Sequence, residues 1–160
     1  MKSGDIQFEK TLLAAEGYSQ LGMPEEALEE LDQLPNDGDS GVEVAKVRLP
    51  ILMQVSRWEE AIATAELLCE KDESDPEHWV HRAFCLHEIG KTREARGVLQ
   101  NGPSSLMKKA IYYYNIACYD AVVGDLEDAQ AHLRKAFEID GKFREIARTD
   151  PDLEGIRDLL

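Results

Sequence analysis

Basic residues are scarce in this chain of 160: 18 Lys and Arg stand against 32 Asp and Glu, a net charge of −14. A field of that sign repels phosphate backbones and anionic lipid headgroups, which sets aside nucleic-acid and membrane-surface binding. Cysteine is rare and odd in number. Cys69, Cys85 and Cys118 lie far apart, a pattern that suits reduced thiols in a cytoplasmic protein better than a disulfide framework. The 6 prolines and 11 glycines are too few for a turn-rich all-β domain, and the 43% hydrophobic content argues against disorder. No run of 18 apolar residues occurs, and the greasiest stretches, 49–55 and 112–124, are short and broken. The start, MKSGDIQFEK, has no apolar core for a signal peptide. Catalytic signatures are missing as well: there is no G-x-x-x-x-G-K-S/T, G-x-S-x-G, H-E-x-x-H or C-x-x-C. The expectation is one soluble helical domain with no catalytic residue, no metal site and no cofactor.

What the chain does have is a period. PEEALEEL, WEEAIATA, TREARGVL and LEDAQAHL place Ala27, Ala61, Ala95 and Ala129 in register, each 34 residues after the last. A second column, Gly22, Ser56, Gly90 and Gly124, keeps the same spacing without insertion or deletion. Within each copy the pattern reads as two helices joined by a short turn. The first is expected over 5–20, 42–54, 76–89 and 105–122, the second over 24–34, 57–70, 92–101 and 126–139. Glycine belongs where the first helix stops, because it accepts a left-handed cap conformation without steric cost. Helix starts are marked by a capping box, Ser56-x-x-Glu59, by Pro24, and by Asp75-Pro76 and Asp150-Pro151. A pair of helices this size cannot bury its apolar face alone, whereas stacked copies cover one another.

The spacing of Trp79, Ala83, Leu86, Gly90, Ala95 and Leu99 resembles the tetratricopeptide repeat, with further matches through Tyr18, Gly22 and Ala27 and through Tyr113, Ala117, Gly124 and Ala129. The resemblance implies an all-α fold, an α-α superhelix of four helix-turn-helix repeats at about 8–41, 42–75, 76–109 and 110–143 in one domain. Residues 144–160 leave the period. They are similar to the capping helices that close many such arrays, where an N-x-A-C phrase (Asn115, Ala117, Cys118) precedes D-P-D-L (Asp150 to Leu153). That likeness implies that the natural chain ends here.

Three positions depart from the family pattern. Arg48 and Arg82 fill a slot that is usually apolar, and Asp120 one that is usually aromatic. Either the arginine stems pack while their heads reach water, or Arg82 and Asp120 pair in the interior. Pro50 falls inside a first helix and is expected to kink or shorten it.

Function then rests on a surface. In the family the first helices line a concave groove that holds partner peptides. Helical spacing picks Leu12, Glu16, Lys46, Met53, Val80, Phe84, His87 and Tyr114 for that groove. Glu9, Glu43, Glu77 and Glu88 border it. Arrays that grip a chaperone's C-terminal carboxylate carry lysine, asparagine and arginine here; Leu12, Glu16, Pro50 and Phe84 stand in their place, which speaks against that ligand. The surface suits a protein segment with apolar and basic residues. A merely solvated acidic face is the bland reading. Two other classes stay open: a homo-oligomer mating through stripes such as Val80-Phe84 or Leu159-Leu160, and a metal-binding or thiol-dependent protein using His81, Cys85 and His87. For that cluster the plain reading packs Cys85 in the repeat interface with His81 and His87 facing outward. His132 reads as an isolated surface residue.

Overall fold

The computed structural model describes residues 3–160, which form helices and turns and no strand. The chain divides into two compact units, Met1–Ser74 and Asp75–Leu160. The first holds α1 (Ser3–Gln20), α2 (Pro24–Asp32), α3 (Gly38–Gln54) and α4 (Trp58–Lys71). The second holds α5 (Glu77–Glu88), α6 (Thr92–Gln100), a 3-10 turn at Ser104–Lys108, α7 (Ala110–Val123), α8 (Leu126–Ile139), α9 (Phe143–Ala147) and a closing 3-10 segment, Pro151–Leu159. Each unit contains two helical hairpins, and the second helix of one hairpin packs on the first helix of the next, α2 on α3 and α6 on α7. No helix among the described residues is long and apolar enough to cross a membrane.

The helix-ending column behaves as one structural device. Gly22, Ser56, Gly90 and Gly124 all have positive φ, at 74°, 59°, 83° and 96°. At every copy the residue after the column donates its N–H back five residues: Met23 to Tyr18, Arg57 to Leu52, Lys91 to Leu86 and Asp125 to Asp120, at 2.8 to 3.0 Å. The column residue itself donates three residues back, to Ser19, Met53, His87 and Ala121. This pair of bonds satisfies carbonyls that the helix end would otherwise orphan, and it requires the left-handed conformation at its centre. Ser56 is therefore not the helix cap that its local motif suggested. It closes α3, and Arg57 stands at the cap of α4 without a side-chain bond to the helix's backbone N–H groups.

Other start signals hold. Pro24 opens α2. Asp75 Oδ1 accepts the Glu77 N–H at 2.9 Å, and Asp150 Oδ1 accepts the Asp152 N–H at 3.0 Å ahead of the closing segment. Two first helices differ from expectation. The third begins earlier, at Gly38, and runs past exposed Pro50 to Gln54 without being shortened. The expected helix over 105–122 breaks at Lys109, whose extended backbone (φ −103°, ψ 131°) separates a 3-10 turn from α7. Buried Leu106 anchors that turn.

The alanine column is the packing centre. Ala27, Ala61, Ala95 and Ala129 are all fully buried. So is a second row in the same period, Ala15, Leu49, Ala83 and Ala117, on the first helices. Small side chains let two helix axes approach closely, and larger neighbours such as Leu31, Leu99 and Leu133 then fill the flanks. Each of these leucines contributes about 1.5–3 kcal/mol of burial.

Ser56 is an exposed, non-glycine residue held at φ 59°, a conformation that costs an L-residue roughly 1–2 kcal/mol. Ser56→Gly should raise the urea midpoint by the equivalent of about 1 kcal/mol, while Gly90→Ala should lower it by a similar amount. Equal midpoints for both variants and wild type would show that the column is not under this constraint.

Candidate functional site

In the first unit the residues of the first-helix stripe stay at the surface. Leu12 and Met53 are half-buried, and Glu16 and Lys46 are exposed. Lys46 is engaged within its own unit: its Nζ lies 3.3 Å from Glu43 Oε1 and 3.4 Å from Asp72 Oδ2. The hydrogen bond to Glu43 is the main influence holding its ammonium pKa above the ordinary lysine value.

The second unit treats the same stripe differently. Phe84 is 37% exposed, but Val80 and Tyr114 are buried and His87 is half-buried. The chain's own closing segment covers Tyr114 and His87. The Tyr114 hydroxyl donates to Asp150 Oδ2 at 2.6 Å, and the Cys118 thiol points at the same oxygen from 3.7 Å. His87 Nε2 lies 2.9 Å from Asp152 Oδ2; a carboxylate only accepts, so this nitrogen carries the proton. Thr92 Oγ1 sits 2.9 Å from the other ring nitrogen. Arg157 donates to the Asp150 carbonyl at 2.9 Å, and Leu153 and Ile156 are buried beneath. Tyr114 also stacks on Phe143 of α9, with ring centroids 4.9 Å apart. The outward positions expected of His87 and Tyr114 are thus corrected: residues 150–157 lie over them.

A second polar cluster joins α6, α7 and α8. The Asp120 carboxylate is buried and accepts from Arg96 Nη1 at 2.9 Å and from His132 Nδ1 at 2.7 Å. Arg96 reaches on to Asp125. His132, expected as an isolated surface group, is half-buried and ties α8 to α7. The carboxylate at the usual aromatic slot is therefore matched by two cationic or protonated donors from neighbouring helices, which is what a buried charge requires.

His81, Cys85 and His87 do not assemble into one site. Cys85 is fully buried, and burial pushes its thiol up to about 11. Burial holds the His81 pKa below the ordinary histidine value, with Glu77 pulling the other way. Among the described residues, the group of three donors close enough to share an ion is Cys118, Asp150 and Asp152. Both carboxylates there are already committed, to Tyr114 and the Asp152 N–H and to His87 respectively. Burial and the Asp150 charge both keep the Cys118 thiol protonated, so the group acts as a hydrogen-bonded clasp.

Two measurements follow from these environments. Half-buried Cys69 should react with a disulfide reagent in the native protein while Cys85 and Cys118 stay protected. Asp150→Ala removes the acceptor of Tyr114 and the cap of the closing segment, should cost about 2 kcal/mol, and should make Cys118 but not Cys85 reactive. Protection of Cys118 in that variant would show that the clasp does not hold the segment down. On acidification the unfolded chain protonates His81 before the folded chain does. Its contribution to stability is therefore complete above pH 6.5, the ordinary histidine value, and is lost as the pH falls through it. His81→Gln should flatten unfolding midpoints measured from pH 7 to pH 5, and an unchanged slope would contradict the assignment.

No family model matches the chain, and no curated protein matches it. Solved structures do. The structure titled MamA MSR-1 C2 superposes with a TM-score of 0.73 at 19% identity, covering 89% of this chain and 82% of that one. MamA 41-end from Desulfovibrio magneticus RS-1 gives 0.75 at 17% identity, with 89% and 80% covered. PcrH in complex with the chaperone binding region of PopB gives 0.58 at 18% identity, with 79% and 96% covered. At these identities the likeness is one of fold, and it agrees with the column geometry: the chain has a tetratricopeptide-type helical-repeat fold.

Proposed function

We propose that the chain is a single-domain, non-catalytic interaction scaffold that receives a segment of a partner protein on the faces of its first helices. The observation that carries this reading is the closing segment itself. Residues 150–157 lie on the stripe formed by His87, Tyr114 and Cys118, so the chain already uses that stripe to hold a polypeptide segment. The equivalent stripe of the first unit, Leu12, Glu16, Lys46 and Met53, stays at the surface, and Phe84 is 37% exposed in the second. A half-buried apolar side chain beside carboxylates is suited to an apolar anchor with basic neighbours. The solved PcrH structure, by its title a complex with the chaperone binding region of PopB, supports the idea that this fold accepts a partner segment.

Crosslinked affinity purification from the native cell should compare wild type with Leu12→Glu and Phe84→Glu. Loss of the same partner protein in at least one variant, with helical content and unfolding midpoint unchanged, is the expected result. Recovery of identical partners by all three would refute the reading. Light scattering over a dilution series separates the homo-oligomer, which would instead give a stable dimer that shields Phe84.

A further inference from the structure

The negative charge of the chain is not spread evenly. Residues 1–74 carry 17 acidic and 6 basic side chains, a net charge of −11, whereas residues 75–160 carry 15 and 12, a net charge of −3. The first unit also contains a cleft of about 670 Å³ between the start of α1, the turn after α2 and the start of α3. Its apolar lining includes Phe8, Leu12 and Leu34, all half-buried, and its border carries the exposed carboxylates Asp5, Glu9 and Glu43. Glu43 shares one oxygen with Lys46, and among the described residues the cleft lining contains no lysine or arginine.

We infer that this cleft is the seat for a partner protein segment that inserts one or two large apolar side chains and flanks them with lysine or arginine. The inference rests on the scaffold reading above and adds to it a place and a chemistry. The cleft is open to solvent and has room for one or two side chains of a segment laid across it. Exposed Glu9 and the second oxygen of Glu43 border an apolar floor, so a basic flank gains Coulomb attraction while the anchor gains burial. The unit's net charge of −11 extends the attraction beyond contact and speeds encounter with a cationic segment, an effect that salt weakens. The same charge opposes a second copy of this unit as occupant, because two acidic borders would meet. In the second unit residues 150–157 already take His87 and Tyr114 of the stripe, which leaves the first unit with the longer exposed stretch.

The test is a selection of random peptides, about a dozen residues long, displayed on phage and panned at low salt against the whole chain. Selected peptides are then made and titrated by fluorescence anisotropy. The expected winners pair a large apolar residue with lysine or arginine. Their affinity should fall at least about tenfold in the double variant Glu9→Lys/Glu43→Lys, which removes two exposed carboxylates and one surface ion pair to Lys46, with the unfolding midpoint checked alongside, and also in Leu12→Glu. It should weaken with rising salt and stay within about twofold in Phe84→Glu. Winners without basic residues, or winners indifferent to Glu9→Lys/Glu43→Lys, overturn the proposal. If binding is lost only in Phe84→Glu, the scaffold reading survives and this seat does not. If no peptide binds, both fall. A dimer in sedimentation that dissociates on Glu9→Lys/Glu43→Lys would make a second copy the occupant and also overturns the proposal.

Discussion

Close approach between helices is the constraint on which the molecule depends. A two-helix hairpin of some 30 residues exposes too much apolar surface to be stable alone, and it becomes stable only when its neighbour lies against it. The distance of that approach is set by the smallest side chains at the crossing. Ala27, Ala61, Ala95 and Ala129 supply those contacts, with no side-chain rotamer entropy to lose and no exposure left. The left-handed turn five residues earlier fixes the angle at which each second helix returns. These two columns act together: the turn aims the helix and the alanine lets it land.

Much of this was legible because a repeat multiplies weak signals. One glycine seven residues after an alanine says little, but four copies at the same interval identify a helix stop, and all four sites have positive φ. Ser56 shows how the column outranks a local motif. Its S-x-x-E pattern suggested a cap, whereas its place among three glycines pointed correctly to a helix end. The stripe positions were harder to read. His87 and Tyr114 have the right helical spacing for an open face, yet spacing within one helix carries no information about what a distant segment covers. The signal was present in the paired phrases around Cys118 and Asp150, 32 residues apart, whose side chains turn out to face one another. Asp120 and His132 illustrate the same limit, since their partnership crosses a helical turn that no intrahelical period predicts. The split of the helix expected over 105–122 was missed for another reason. Residues 105–111 are compatible with a helix in composition, and the break at Lys109 answers the need to seat Leu106 in the core.

The two units show two uses of one surface. In the second, a carboxylate-rich closing segment is clasped by a histidine, a tyrosine and a cysteine on the first helices, and it shields the array's last apolar face. In the first, the corresponding stripe is bordered by uncovered carboxylates and opens into a cleft. A shared architecture thus gives one face a stabilising role and leaves the other at the surface, with the difference set by a few side chains rather than by the backbone. The strongly acidic balance of the first unit has no evident part in folding, since like charges oppose compaction. On the proposal made above, it selects a cationic partner.

The central claim, that small residues at a fixed period set how the helices stack, is tested most directly by alanine-to-valine substitution at each column site in turn. Chemical denaturation of Ala27→Val, Ala61→Val, Ala95→Val and Ala129→Val should show a loss of about 1–3 kcal/mol at every one, from overpacking. Ala131→Val, at an exposed site on α8, should lose no more than about 0.5 kcal/mol. Column variants as stable as Ala131→Val would mean that the helices do not meet at these alanines, and the stacking account would fail.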